Sequence, residues 1–338
     1  MGIGGWSETG LACRAMASVS LDRRTILGAL GASLVPVPAL AVPSARALTG
    51  AGWLGALERR SGGRLGVMVL DSARARGFGW RQDERFAHCS TFKLSLAAMV
   101  LAQIDAGRAR GDEVVPYSVL DVLPASPVTG AAAEKIAADP VLAGQEGLPV
   151  FALAEAAVER SDNLAANLLL ARFGGPAALT AFWRATGDPI SRLDHHEPAL
   201  NRVAPGADQD TTTPAAMAAT VARLLTGSVL SGESRARLWG WMKGAPTGLG
   251  RLRGGLPARW QGGDKTGTWT GAELPAKIND IALALAPVGD RHFSAPLAVT
   301  AYYEPLGTVD AVRPEDEAVL AAVMRIAADP AAWRPQRR

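Results

Sequence analysis

Strand-like segments lie near both ends of this chain, and much of what separates them is patterned for helix. Arg64-Leu65-Gly66-Val67-Met68-Val69-Leu70-Asp71 has the apolar, β-branched character of a strand. A turn through 72–77 leads into Phe78-Gly79-Trp80-Arg81, which predicts an antiparallel hairpin. Strand character returns near 277–286 and at Leu297-Ala298-Val299-Thr300-Ala301-Tyr302-Tyr303. Between them, from Thr91 to about Gly107, Leu94, Ala97, Ala98, Leu101 and Ile104 recur at helical spacing. Further helical stretches follow at 151–173, 176–186 and 214–226, and a last helix is predicted over 314–328, with Glu315, Asp316 and Glu317 at its positive end. The expected fold class is therefore α+β, an antiparallel sheet built from both chain ends and flanked by helices, with an inserted all-α domain. The boundaries predicted are 48–88 plus 244–338 for the α/β domain and 89–243 for the all-α domain.

Residues 1–47 read as an export signal. Arg23-Arg24 precede the apolar run at 25–35, Pro36 and Pro38 would interrupt a buried helix, and Ala45-Arg46-Ala47 offers a small-x-small cleavage pattern. Paired arginines before a modest, Gly- and Ala-rich run resemble a twin-arginine signal, with an ordinary secretory signal as the alternative. Both lead out of the cytoplasm, so a periplasmic location is expected, with Met16 as an alternative start to Met1. Cys13 leaves with this segment, and Cys89 is then without an intrachain partner. Removing the segment also leaves 31 basic and 30 acidic side chains. That balance argues against nucleic acid or an anionic membrane as partner. No later apolar run is long enough to span a bilayer, so no membrane is expected for the mature form, and a monomer is expected.

Three short motifs carry reactive side chains. In Ser90-Thr91-Phe92-Lys93 the helical spacing of three lets the Lys93 amine approach the Ser90 hydroxyl, and a serine nucleophile needs such a base. An N-cap serine followed by a surface lysine would give the same residues. Ser161-Asp162-Asn163 interrupts a helical context, either to cap a helix or to present side chains. Lys265-Thr266-Gly267-Thr268 is expected to open a strand, with Gly267 permitting close approach of a ligand to the backbone.

In this order the three motifs resemble those of class A serine β-lactamases and penicillin-binding proteins. The resemblance extends from the hairpin at 64–81 to the last helix. Arg192-Leu193-Asp194-His195-His196-Glu197-Pro198-Ala199-Leu200-Asn201 is similar to the class A omega loop, spanning about 192–210, with its Glu-x-x-x-Asn pair at Glu197 and Asn201. Penicillin-binding peptidases lack this glutamate. An acyl-enzyme persists unless a water is activated and held beside its carbonyl, which the resemblance assigns to Glu197 and Asn201. It implies Ser90 as nucleophile, Lys93 or Glu197 as acylation base, Ser161 and Lys265 in proton delivery to the lactam nitrogen, and a β-lactam as substrate. Asn163, Thr266, Gly267, Thr268 and Arg251 are the implied substrate contacts, Arg251 as a fork for a carboxylate. No metal and no organic cofactor is expected. A D-Ala-D-Ala peptidase and a non-catalytic β-lactam sensor are the alternative readings.

The chain departs from the family at four places. His195 replaces the arginine that usually pairs with the aspartate at position 210, which predicts a looser loop. Trp269 stands where some carbapenem-hydrolysing relatives bridge a cysteine to the residue before the nucleophile, so Cys89 is expected to be a small buried side chain. Ala125, in Ala125-Ser126-Pro127-Val128-Thr129, stands where an aromatic often walls the cleft, and the stretch 130–147 is longer than usual.

Overall fold

The computed structural model describes residues 50–335 except 75, 139–146 and 294. The leader expected over 1–47, with Cys13 and Arg23-Arg24, lies outside the described residues. Helix α1 (Gly50–Ser61) precedes the hairpin β1 (Arg64–Asp71) and β2 (Arg76–Trp80). The short strand β3 (Phe86–Ala87) and a 3-10 turn over Cys89–Thr91 lead into α2 (Phe92–Asp105). Next come β4 (Val114–Val115), α3 (Pro127–Ala138), β5 (Leu148–Pro149), α4 (Val150–Glu159), α5 (Asn163–Arg172) and α6 (Gly175–Ala185). After a long loop follow β6 (Thr211–Thr212), α7 (Pro214–Thr226) and α8 (Gly232–Gly244). The chain closes with β7 (Gln261–Trp269), β8 (Lys277–Leu285), β9 (Leu297–Glu304) and α9 (Pro314–Ala327).

The main sheet runs β2-β1-β9-β8-β7, with every pairing antiparallel. The first two strands therefore join the last three across the inserted helices, the predicted α+β arrangement. Side chains alternate across each strand and give the sheet two apolar faces. Val67, Ile278, Val299 and Ala301 pack with Leu54 and Leu57 of α1 and Leu320 and Met324 of α9. Ile281, Leu283, Ala298 and Tyr302 instead face the helical insertion. There α2 is buried continuously from Phe92 to Leu101, as suits a helix apolar on every side.

The helical stretch at 151–173 is two helices, α4 and α5, parted at Arg160–Asp162, where the Ser161-Asp162-Asn163 motif interrupts it. Lys265 lies in the middle of β7, which starts at Gln261, so the Lys-Thr-Gly motif does not open its strand. Helices α1, α3 and α8 were not anticipated.

Candidate active site

The Ser90 turn is gripped from two sides. Asn279 of β8 donates to the carbonyls of Ala87 and His88, and the His88 amide donates to the Asp210 carbonyl. Strand β7 presses directly on this turn. A Cβ on Gly267 would lie 2.7 Å from the His88 oxygen and 3.0 Å from Thr91 Cγ2. The close approach that glycine permits here is made by the protein's own nucleophile-bearing turn.

Helical spacing carries Lys93 beneath Ser90, where it is fully buried. Its ammonium donates to the Ser161 carbonyl (2.8 Å) and Asn163 Oδ1 (2.6 Å) and lies 3.0 Å from Glu197 Oε1. The Ser90 hydroxyl donates to the same Glu197 oxygen at 3.3 Å. Serine and lysine therefore meet through the carboxylate. Burial pulls Lys93 below the ordinary lysine range, and Glu197 opposes that pull.

Ser161-Asp162-Asn163 answers to both sequence readings. Asp162 is the N-cap of α5, accepting from the Ala165 amide, and it also accepts from the Val128 and Thr129 amides and the Thr129 hydroxyl. This carboxylate anchors the 126–129 segment while its neighbours face the cleft. Ser161, at φ 56°, accepts from Lys265 Nζ at 3.0 Å, and Asn163 accepts from Lys93. Lys265 donates again to the Thr266 carbonyl. Burial and the nearby Lys93 charge depress Lys265 to about 7.

Glu197 arrives from the long loop and is 4% exposed. Its backbone is clamped by Asn167 of α5, whose amide accepts from Glu197 N (3.0 Å) and donates to Glu197 O (2.9 Å). The sequence reading gave Asn167 no role. A lone amide in the apolar run Leu164–Leu170 was the available signal. Asn201 donates to Glu197 Oε2 at 2.5 Å, and its own Oδ1 is buried without a donor among the described residues. At the loop's neck His195 Nδ1 lies 2.6 Å from Asp210 Oδ2. Asp210 also accepts the amides of Asp194 and His195, and Asp194 accepts the Asp210 amide. The anchor is thus largely backbone-made, with Arg192 paired to Asp194 and no arginine on Asp210 among the described residues. His195 faces Asp210 while Glu197 faces Ser90, so the His195-His196-Glu197 run does not converge on one point.

These groups border a cleft of about 640 Å³, with Ala125, Asn163, Asn201, Thr247, Thr266 and Thr268 among its walls. Arg251 reaches the same wall but is not a free surface arginine. It is 4% exposed, pairs with Glu317, donates to the carbonyls of Gly267 and Asn279, and donates to the Thr268 hydroxyl at 2.9 Å. Thr247, whose hydroxyl lies 3.1 Å from that of Thr266, is a wall residue the sequence did not single out. Cys89 is buried and unbridged, its thiol pushed up to about 12 by burial.

Comparison with known proteins agrees with this arrangement. A model of the β-lactamase enzyme family matches residues 54–318. β-Lactamase L2 of Stenotrophomonas maltophilia is 43% identical over 91% of this chain and 98% of its own. β-Lactamase CTX-M-8 of Citrobacter amalonaticus is 40% identical over 82% and 87%. Among solved structures, an ancestral class A β-lactamase is 49% identical with a TM-score of 0.71, covering 82% of this chain and 98% of that one. A β-lactamase from Burkholderia vietnamiensis is 43% identical with a TM-score of 0.73, covering 82% and 95%. The chain belongs to the β-lactamase enzyme family and, within it, to class A.

Proposed function

We propose that this protein hydrolyses the amide of β-lactams through an acyl-enzyme on Ser90. Ser90 Oγ attacks the lactam carbonyl while the backbone amides of Ser90 and Thr268 stabilise the oxyanion. The serine proton goes to the Lys93–Glu197 pair, since Ser90 and Lys93 both contact Glu197 Oε1. Ser161, bonded to the Lys265 ammonium and next to Lys93, delivers a proton to the departing nitrogen and is resupplied with the serine proton from the Lys93–Glu197 pair, which frees the Glu197 carboxylate. Glu197 then draws a proton from a water that Asn201 orients through its spare Oδ1, and that water releases the product. Thr266, Thr268 and Arg251 receive the substrate carboxylate, Arg251 mainly by holding the Thr268 hydroxyl. We read residues 1–47 as a cleaved twin-arginine signal, 48–88 plus 244–338 and 89–243 as the two domains, and the mature protein as a periplasmic monomer.

The observation that carries this reading is the single buried carboxylate, Glu197, touching Ser90, Lys93 and Asn201 at once. With a β-lactam, a peptidase or sensor would stop at the acyl-enzyme, without the second step. Steady-state turnover of a chromogenic cephalosporin, with a transient mass adduct on Ser90, is expected. One equivalent of product followed by a stable adduct would refute hydrolysis.

A further inference from the structure

A second cleft opens among the helices, bordered by the later turns of α2, by α6 and by the end of α7, and it shares no wall residue with the Ser90 cleft. Helical spacing builds it. Met99, Ala102 and Gln103 fall on one stripe of α2, and Ala178, Ala181 and Ala185 on one stripe of α6. Alanines at these positions leave a hollow of about 820 Å³ that larger side chains would fill, with the half-buried rings of Phe173 and Phe182 beside it.

Positive charge rims this apolar hollow. Arg223 of α7 and Arg108, just beyond α2, both line it, and no acidic side chain does so among the described residues. The Arg108 guanidinium has a neutral acceptor, Gln103 Oε1, at 2.7 Å. Arg223 donates from Nη2 to the Thr220 hydroxyl at 3.0 Å, and its Nε is buried with no acceptor among the described residues. Asp188 attracts Arg223 from a distance, but that carboxylate already accepts the Ile190 and Ser191 amides and the Ser191 and Thr220 hydroxyls. Burial therefore pulls Arg223 below the ordinary arginine range. A half-buried guanidinium on an apolar wall, with too little negative charge to match it, is completed by an anion.

We propose that this cleft binds a single-chain amphiphilic carboxylate of the kind a medium-length fatty acid presents. The chain lies along Met99, Ala102 and the α6 alanines, and the carboxylate meets Arg223 and Arg108. The volume falls within the range of about 300–1,000 Å³ typical of small-ligand sites, which are apolar with a few placed polar groups. A planar guanidinium suits a carboxylate, and the Thr220 tether fixes Arg223 before the ligand arrives. The site stands apart from the reacting groups and does not depend on the β-lactam reading.

Isothermal titration of the full protein with decanoate, below micelle-forming concentration, should show saturable binding of one equivalent. Octanoate should bind about tenfold more weakly, because two fewer methylenes leave water. Decyltrimethylammonium, with the same chain and the opposite charge, should show no saturable binding. Arg223→Gln and Arg108→Gln should each weaken decanoate about tenfold, and Arg108 is exposed, so its variant keeps the test readable if the other fails to fold. Ala181→Trp, on the exposed rim, should fill the cleft and abolish binding with an unchanged circular dichroism spectrum. Absence of saturable decanoate binding, equal binding of the ammonium, or wild-type affinity in both arginine variants or in Ala181→Trp overturns the proposal. Concentration-dependent dimerisation of the free protein that Ala181→Trp removes would also overturn it, by making a second copy of the chain the occupant.

Discussion

Replacing Glu197 by glutamine isolates the second chemical step. The amide keeps the length of the side chain and an oxygen for the Asn201 amide, which now lies 2.5 Å from Glu197 Oε2. It cannot accept a proton from water. Loss of a positioned general base typically lowers rate about 10²- to 10⁴-fold, which corresponds to roughly 3–5 kcal/mol on the deacylation barrier. Acylation should suffer less, for a reason visible in the structure. Lys93 is fully buried and has Glu197, at 3.0 Å, as its carboxylate partner. Once that charge is gone, burial governs Lys93 and drives it further toward the neutral amine, which can take the Ser90 proton. Glu197→Gln should therefore release a burst of about one equivalent of product and then stall. Stopped-flow absorbance with intact-protein mass spectrometry reads both the burst and the adduct on Ser90. Parental turnover, or a stall with no adduct, would refute the assignment of Glu197.

Three other perturbations probe separate links. Lys265 is fully buried and depressed to about 7 from the ordinary 10.5, a difference equivalent to about 5 kcal/mol. A depressed folded-state value means its stability contribution is present above about pH 10.5 and lost as pH falls through 7. Lys265→Met should then be inactive yet more resistant to urea than the wild type below pH 7, with the gap closing toward pH 10.5; a gap that widens with pH would contradict this. At the loop neck, His195→Ala removes a half-exposed partner and should cost under about 1 kcal/mol. Asp210→Ala strips acceptors from two part-buried amides and should cost about 1–3 kcal/mol and lower kcat as Glu197 loosens; equal thermal shifts for the two variants would argue against a backbone-made anchor. Finally, changing Arg23 and Arg24 to lysine should abolish periplasmic accumulation if export uses the twin-arginine route, and unchanged export would favour the ordinary secretory route.

The parts of this molecule legible in the sequence are those whose cause is local. The strands could be read because alternation is written residue by residue, and α2 and α7 because their apolar spacing or capping is. Helix α1 escaped because Gly50, Gly52 and Gly55 weaken its helical signal. Its stability comes instead from Leu54 and Leu57 meeting a sheet formed by residues far along the chain. The reactive residues were legible for a similar reason, since Ser90 and Lys93 share one turn-and-helix segment and Glu197 and Asn201 share a loop.

Charge compensation is not local, and there the sequence was silent. Arg251 could be read as a surface fork because nothing near it indicates Glu317, 66 residues away, or the carbonyls of Gly267 and Asn279. Asp264 stands beside Lys265 in sequence, which invites pairing the two, yet alternation sends them to opposite faces of β7. Asp264 meets Arg253 and Asp280 instead. The consequence is chemical. Lys265 is left with a serine hydroxyl and a carbonyl as hydrogen-bond partners, and so sits near neutrality where it can lend Ser161 a proton. An aspartate on the Lys265 face would hold that ammonium charged and unreactive. The pleat of one edge strand thus keeps Asp264, paired with Arg253, off the face on which Lys265 meets Ser161.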